Sequence, residues 1–313
     1  MTDRARTIFL GSGGFGVPIV TAIARHPQLA LLGVITAPPA RGRSTDAIDL
    51  PIAQWAADRN VPAFRPSRLR DPDAIETVRS GSPELLVLAD YGQIVPPELL
   101  EMPRLGALNL HPSLLPRHRG ATPIPAAILA GDGQTGVSLI QMDAGLDTGP
   151  LVAQRVIDLT RSETAPELEA RLAVLAGDLT AETIGPWLAG TIAATPQPAD
   201  GATMTRPLVR EDGRLDPLLG IVALDRQMRA YQPWPGTFIE TAAGRVIVWE
   251  ARPLGASATA RAGTLVRLPA ARLALAVADG LLELVEVQPA GGRQMSGAEL
   301  LRGRPALAGS AVQ

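Results

Sequence analysis

From the N-terminus to about residue 190, short blocks of consecutive apolar residues alternate with stretches whose apolar positions recur every three or four residues. The blocks at 7–10, 31–36, 61–64, 85–89, 107–111, 135–142 and 151–159 have the length and apolar density of buried strands. Between them, 17–25, 51–59, 71–80, 122–130 and 162–188 carry a helical pattern. Pro18 falls in the first turn of the first helix, where a missing N–H is tolerated. Ser162 or Thr164 stands where the longest helix needs a cap, and Gly190 where it must stop. Strands alternating with helices from a β-α-β start predict an α/β fold, a doubly wound, Rossmann-like parallel sheet.

The pattern then changes. Residues 195–207, rich in Pro, Gly, Ala and Thr, read as a linker. A helix at 224–230 precedes a β texture, with strands expected at 237–241, 245–250, 263–268, 273–278 and 281–287. A hairpin is expected about Ala242-Ala243-Gly244, and Asp279-Gly280 reads as a two-residue turn. Ser296 and Glu299 form a capping box for a short helix at 300–302. Five strands and a helix predict a small OB-like β-barrel. Residues 306–313 show no pattern and are expected to be disordered. The predicted layout is an N-terminal domain over 1–194, a linker over 195–207 and a C-terminal OB-like domain over 208–313. No internal repeat is visible.

Composition narrows the chemistry. The 313 residues are 46 % apolar and include no cysteine, which excludes disulfides, cysteine-held zinc and a thiol nucleophile. With only three histidines (His26, His111 and His118), a multi-histidine metal site is not expected. No apolar run approaches the roughly 18 residues of a membrane span, and the N-terminus does not read as a signal peptide, so a cytoplasmic protein without membrane contact is expected. The net charge is −2, and every one of the 29 basic side chains is an arginine. From Pro207 onward 12 arginines face 10 acids, so the C-terminal part is slightly positive and the rest negative. Contact with a polyanion would have to come from local arginine clusters.

The candidate chemistry lies between Leu108 and Gly149. Asn109 and His111 are two positions apart on an apolar run, so as strand residues they leave the sheet on one face. Asp147 sits in the glycine-flanked loop Gly145-Leu146-Asp147-Thr148-Gly149. An amide, an imidazole and a carboxylate can together polarise a carbonyl and move a proton. Taken singly, a strand-end histidine is most often structural and an aspartate between glycines a turn residue. A rival signal is Gly11, Gly13 and Gly16, a G-x-G-x-x-G turn between the first strand and first helix. A dinucleotide site would also need an acid at the end of the second strand. That strand ends Thr36-Ala37-Pro38-Pro39, although Arg41 and Arg43 could suit a 2′-phosphate.

Asn109-Leu110-His111-Pro112-Ser113-Leu114-Leu115-Pro116, Arg119-Gly120, Gln141-Met142-Asp143 and Gly145-Leu146-Asp147-Thr148-Gly149 resemble, in order, the signature of the 10-formyltetrahydrofolate-dependent formyltransferases. Within them the chain is most similar to those acting on initiator methionyl-tRNA. The likeness runs from about Thr7 to Arg302. It includes Arg210-Glu211-Asp212-Gly213-Arg214, which resembles the family's Lys-Glu-Asp-Gly-Arg, and Pro233-Trp234-Pro235 where its C-terminal domain opens. The resemblance implies formyl transfer from 10-formyltetrahydrofolate to an amine, in a monomer needing no metal. It implies Asn109, His111 and Asp147 as the catalytic trio. Asn109 and the protonated face of His111 would donate to the developing oxyanion, and Asp147 would tune His111 and help relay the proton. It further implies Tyr91, Gly92, Gln93, Ile94, Val95, Ser113, Leu114, Leu115, Pro116 and Asp143 around the folate, and Arg41, Arg43, Arg117 and Arg119 toward tRNA, with the C-terminal domain assisting. Asp90 stands where the family usually has Ala before Tyr-Gly, and Ser-Gly-Gly replaces Thr-Pro-x between Gly11 and Phe15. Alternatives are a formyltransferase for an amino sugar, a formyltetrahydrofolate hydrolase-like enzyme, a dinucleotide-binding oxidoreductase, and a non-catalytic tRNA-binding protein.

Overall fold

The computed structural model describes residues 4–38, 50–255 and 260–312. The elements run β1 (Ala5–Gly11), α1 (Gly16–Arg25), β2 (Leu29–Ile35), α2 (Pro51–Ala57), β3 (Ala63–Phe64), α3 (Pro72–Ser80), β4 (Leu85–Ala89), α4 (Pro97–Glu101), β5 (Ala107–His111), β6 (Arg119–Gly120), α5 (Pro123–Ala130), β7 (Gln134–Gln141), β8 (Leu151–Asp158), α6 (Ala165–Leu188) and β9 (Met204–Thr205). They continue with α7 (Ile221–Ala230), β10 (Thr237–Thr241), β11 (Gly244–Leu254), β12 (Leu265–Arg267), β13 (Leu273–Val277), β14 (Gly280–Pro289), β15 (Met295–Ser296) and α8 (Gly297–Gly303). Two compact units result. One comprises Met1–Ile124, Gly133–Leu159 and Glu167–Arg206, the other Pro125–Asp132, Thr160–Pro166 and Pro207–Gln313.

The first unit is built on a seven-stranded sheet in the order β3-β2-β1-β4-β5-β7-β8. Strands β3 to β5 are parallel, whereas β7 and β8 join antiparallel. The inner strands are apolar on both faces because helices cover both. All five residues of β4 are buried. Helix α1 buries Gly16, Ile19, Val20 and Ile23, one stripe at helical spacing. Helices α2, α3 and α4 each begin on a proline, a position whose N–H has no intrahelical partner. The strand order reverses between β1 and β4, and the loops after β1, β4 and β5 leave from the carboxyl ends around that point. In such sheets this is where ligands bind.

The second unit holds a six-stranded antiparallel sheet, β10-β11-β14-β13-β12 with β15 on β14. Leu224, Ile239, Val248, Leu275, Leu282 and Leu300 are among its core. The capping box forms as the sequence predicts, with Ser296 Oγ accepting from Glu299 N and the Glu299 carboxylate from Ser296 N.

Three local expectations change. The β13–β14 turn is centred on Ala278-Asp279, one residue before the expected pair, since Val277 pairs with Gly280. Helix α7 begins at Ile221, three residues early. Both follow from one contact: Asp279 Oδ1 accepts from Ile221 N at 2.8 Å, so a hairpin 58 residues away caps the helix. Finally, the C-terminal residues are ordered up to 312. Leu307 is buried, Gly309 N donates to Leu265 O, and Leu265 N donates to Ser310 O, so the tail pairs with the edge strand β12. No helix of the described residues is long and apolar enough to cross a membrane.

Candidate active site

Strand β5 delivers Asn109 and His111 to the carboxyl end of the sheet. Its neighbours are β4, where Leu88 pairs with Asn109, and β7, where Ser138 pairs with His111. The loop after β7 brings Asp147 back to them. Asn109 Nδ2 donates to Asp147 Oδ1 at 3.2 Å, and His111 Nδ1 lies 3.6 Å from Asp147 Oδ2. Gly120 N donates to the same Oδ2 at 2.8 Å. The amide, imidazole and carboxylate singled out in the sequence are therefore one cluster.

The tautomer follows from the partners. His111 Nε2 lies 2.9 Å from the His118 carbonyl oxygen, which can only accept, so Nε2 carries the hydrogen. In the neutral ring Nδ1 is then the basic nitrogen, and it faces Asp147. Burial pushes the His111 pKa below its ordinary value, while the Asp147 charge and the His118 carbonyl pull it up. Burial dominates, and the imidazole rests neutral beside two groups that would stabilise its cation.

The glycine turn after β1 is occupied from within. A Cβ on Gly13 would lie 1.8 Å from Asp90 Oδ2, and the Gly13 N–H donates to that carboxylate. The Phe15 N–H donates to Glu169. The helix-entrance amides that cradle a pyrophosphate in a dinucleotide site here hold two side chains. Burial, with the nearby Glu169 charge, raises the Asp90 pKa to about 6. Titration calorimetry with NADH and NADPH is therefore expected to show no binding at physiological concentrations, and a micromolar dissociation constant would restore the oxidoreductase alternative.

The loop after β4 has mixed character. Tyr91 and Val95 are buried in the core. Burial pushes the Tyr91 hydroxyl up to about 12, and that hydroxyl has no hydrogen-bond partner among the described residues. Gly92 has a positive φ of 79°. Gln93 Oε1 accepts from Leu69 N, tying two loops together. Ile94 is 90 % exposed, an apolar side chain left in water. Beyond β5, Ser113 Oγ donates to the Arg117 carbonyl, Leu114 is half-buried, and Leu115 and Pro116 are buried. Asp143 Oδ1 accepts from Gly145 N and Thr148 Oγ1, shaping the loop that carries Asp147. The side chains of Gln93, Ser113 and Asp143 thus each hydrogen-bond within the chain, Ser113 buried, Gln93 half-buried and Asp143 exposed.

Among the candidate arginines, Arg117 is exposed, and Arg119 places Nε and Nη2 on Gln197 Oε1 at 3.1 and 2.6 Å. Arg41 and Arg43 lie outside the described residues. Sequence reasoning did not single out Gln197, Thr203 or the His118 carbonyl. Gln197 lies between Pro196 and Pro198, a stiff context that marked a linker rather than a site.

Comparison with known proteins identifies the family. The family model described as formyl transferase matches residues 5–184, and that of the formyl transferase C-terminal domain matches 207–305. A methionyl-tRNA formyltransferase of Halorhodospira halophila is 39 % identical over 311 residues, covering 99 % of both chains. One from Myxococcus xanthus is 36 % identical over 309 residues, covering 98 % of both. Among solved structures, an N-formyltransferase from Helicobacter canadensis in complex with folinic acid and dTDP-3-aminofucose superimposes with a TM-score of 0.64 at 13 % identity, covering 93 % of this chain and 100 % of that one. HypX from Aquifex aeolicus in complex with tetrahydrofolic acid gives 0.63 at 16 %, covering 96 % of this chain and 47 % of HypX. At such identities the two structures speak for the fold alone.

Proposed function

The chain belongs to the formyl transferase family, and from that membership we propose that it moves the formyl group of 10-formyltetrahydrofolate to the amino group of methionine on initiator tRNA. The observation that carries the chemistry is the convergence of Asn109 Nδ2 and His111 Nδ1 on one carboxylate, Asp147. The relatives at 36–39 % identity carry the choice of acceptor.

The formyl donor supplies a carbonyl and a nitrogen that must leave with a proton. Asn109 donates a hydrogen bond to the carbonyl oxygen as negative charge builds on it. His111 Nδ1 takes the proton released by the attacking amine, and Asp147 together with the His118 carbonyl stabilises the imidazolium that results. The same Nδ1–H, held beside Asp147, then returns its proton to the departing nitrogen, so the proton count closes. No covalent enzyme intermediate enters. Ser113 Oγ is buried and gives its hydrogen to Arg117 O, which fits no nucleophilic role.

For the folate we propose the backbone and apolar side chains of Tyr91, Gly92, Gln93, Ile94 and Val95, with Ser113, Leu114, Leu115, Pro116 and Asp143 completing the surroundings. The exposure of Ile94 suits an apolar ring surface laid over it. For tRNA we propose Arg41, Arg43 and Arg117, with the slightly positive residues 208–313 adding backbone contacts and 1–194 carrying the chemistry. The experiment is an assay with formyl donor and charged initiator tRNA, beside free methionine and nucleotide-linked amino sugars. Formylation of the tRNA-borne methionine alone is expected. Transfer to the amino sugar with none to tRNA would replace this reading.

A further inference from the structure

We infer that Gln197 is a positioning residue for the reacting carboxylate, and that residues 195–206 strap the active site rather than merely joining two parts of the chain. The inference rests on the reading of Asn109, His111 and Asp147 as the reacting groups.

The side-chain amide of Gln197 is fully used. Its Nε2 donates to the carbonyls of Asp147 and Gly149 at 2.7 and 2.8 Å, and its Oε1 accepts twice from the Arg119 fork. Two donated and two accepted bonds are all that an amide can make, and turning it over would oppose every one of them. Its orientation is therefore fixed. The backbone is fixed as well, because Pro198 confines Gln197 to extended conformations and Pro196 holds its own φ.

What this amide grips is a loop that needs holding. Asp147 has φ of 53°, the left-handed region that residues with a Cβ disfavour. The carbonyl of that strained residue and the carbonyl two residues further on are the two that Gln197 binds. Its side-chain carboxylate is meanwhile aimed at Asn109 Nδ2 and His111 Nδ1. A shift of the loop by one ångström would break that aim.

The rest of the strap secures the other flank. Strand β9 pairs with β6, and Thr203 Oγ1 accepts from His118 N at 2.8 Å. Arg119 N donates to Thr203 O, and Thr205 Oγ1 donates to Arg119 O while accepting from Thr122 N. His118 lends its carbonyl to His111 Nε2, and Gly120 its N–H to Asp147. Both supports of the histidine–aspartate pair are thus fastened to residues 195–206. This also assigns Arg119 to the clamp instead of to tRNA phosphates.

The test uses the full chain with Gln197→Met, which keeps the length and removes all four bonds, and Arg119→Lys, which keeps the charge and removes the fork. Both are expected to lower turnover about ten- to hundred-fold, the scale of a one-ångström misplacement. KM for the formyl donor should stay within about twofold, since the groups lost do not touch the folate loop. The chain has three histidines, so the His111 ring can be followed by NMR. It should titrate at lower pH in both variants, because the carboxylate that raises its pKa has moved away. If Gln197→Met fails to fold, Arg119→Lys decides. Unchanged turnover and unchanged His111 titration overturn the inference. So does a flattened salt dependence of tRNA binding in Arg119→Ala, which removes the charge, with normal turnover, which would return Arg119 to phosphate contact. If the wild type transfers no formyl group while the His111 titration still follows Gln197, the clamp stands and the proposed function falls.

Discussion

His111→Ala is expected to lower formyl-transfer turnover by about 10²–10⁴-fold in a protein that still folds, the range for a positioned acid–base group beside a developing oxyanion. Asn109→Ala and Asp147→Ala should fall in the same range, and combining them should add little, because the three act on one proton and one oxygen. The pH profile gives an independent check. The mechanism needs the neutral ring, so activity is lost as pH falls through the folded-state pKa of His111. Burial places that pKa below the ordinary histidine value of 6.5, so kcat/KM, corrected for the fraction of acceptor amine that is neutral, should hold its plateau to more acidic pH than a solvent-exposed histidine would allow. Asp147→Asn removes the charge that raises the pKa, so the limb should move further to acid while the plateau drops. Near-normal turnover in purified His111→Ala, or a limb moving toward alkaline pH in Asp147→Asn, would remove this mechanism.

Gly120→Ala should cost about 3 kcal/mol of stability, measured by chemical denaturation, and lower turnover as well. Gly120 has φ of 101°, and a Cβ there would lie 2.4 Å from the Thr205 carbonyl oxygen. Neither backbone can yield without opening the β6–β9 pairing. The same residue gives its N–H to Asp147 Oδ2, so any accommodation displaces the reacting carboxylate. Gly133→Ala is the control, since nothing lies within 4 Å of a Cβ at that position. Equal unfolding midpoints for Gly120→Ala and wild type would refute the crowding argument.

The reading from sequence succeeded where the physics is local. The helical stripe of α1, the all-apolar run of β4 and the Ser296–Glu299 box each depend on neighbours within a few residues. It slipped where a partner is distant. The start of α7 and the β13–β14 turn shifted because Asp279 caps a helix 58 residues before it. The C-terminal tail looked patternless because its order comes from pairing with β12.

The site divides in the same way. By itself the sequence determined that Asn109 and His111 share a strand face and that Asp147 lies in a tight loop, because residue spacing on a strand fixes side-chain direction. The ordered motifs also carried the family. Only the tertiary structure decided which histidine nitrogen is basic, since that depends on a carbonyl seven residues on, folded back onto the ring. Only it decided that the glycine turn is filled by Asp90 and Glu169 rather than open to a phosphate. And only it made Gln197 visible. A hydrogen bond across 50 residues leaves no period, no charge run and no motif in the chain, because it exists only once the fold has brought its two ends together.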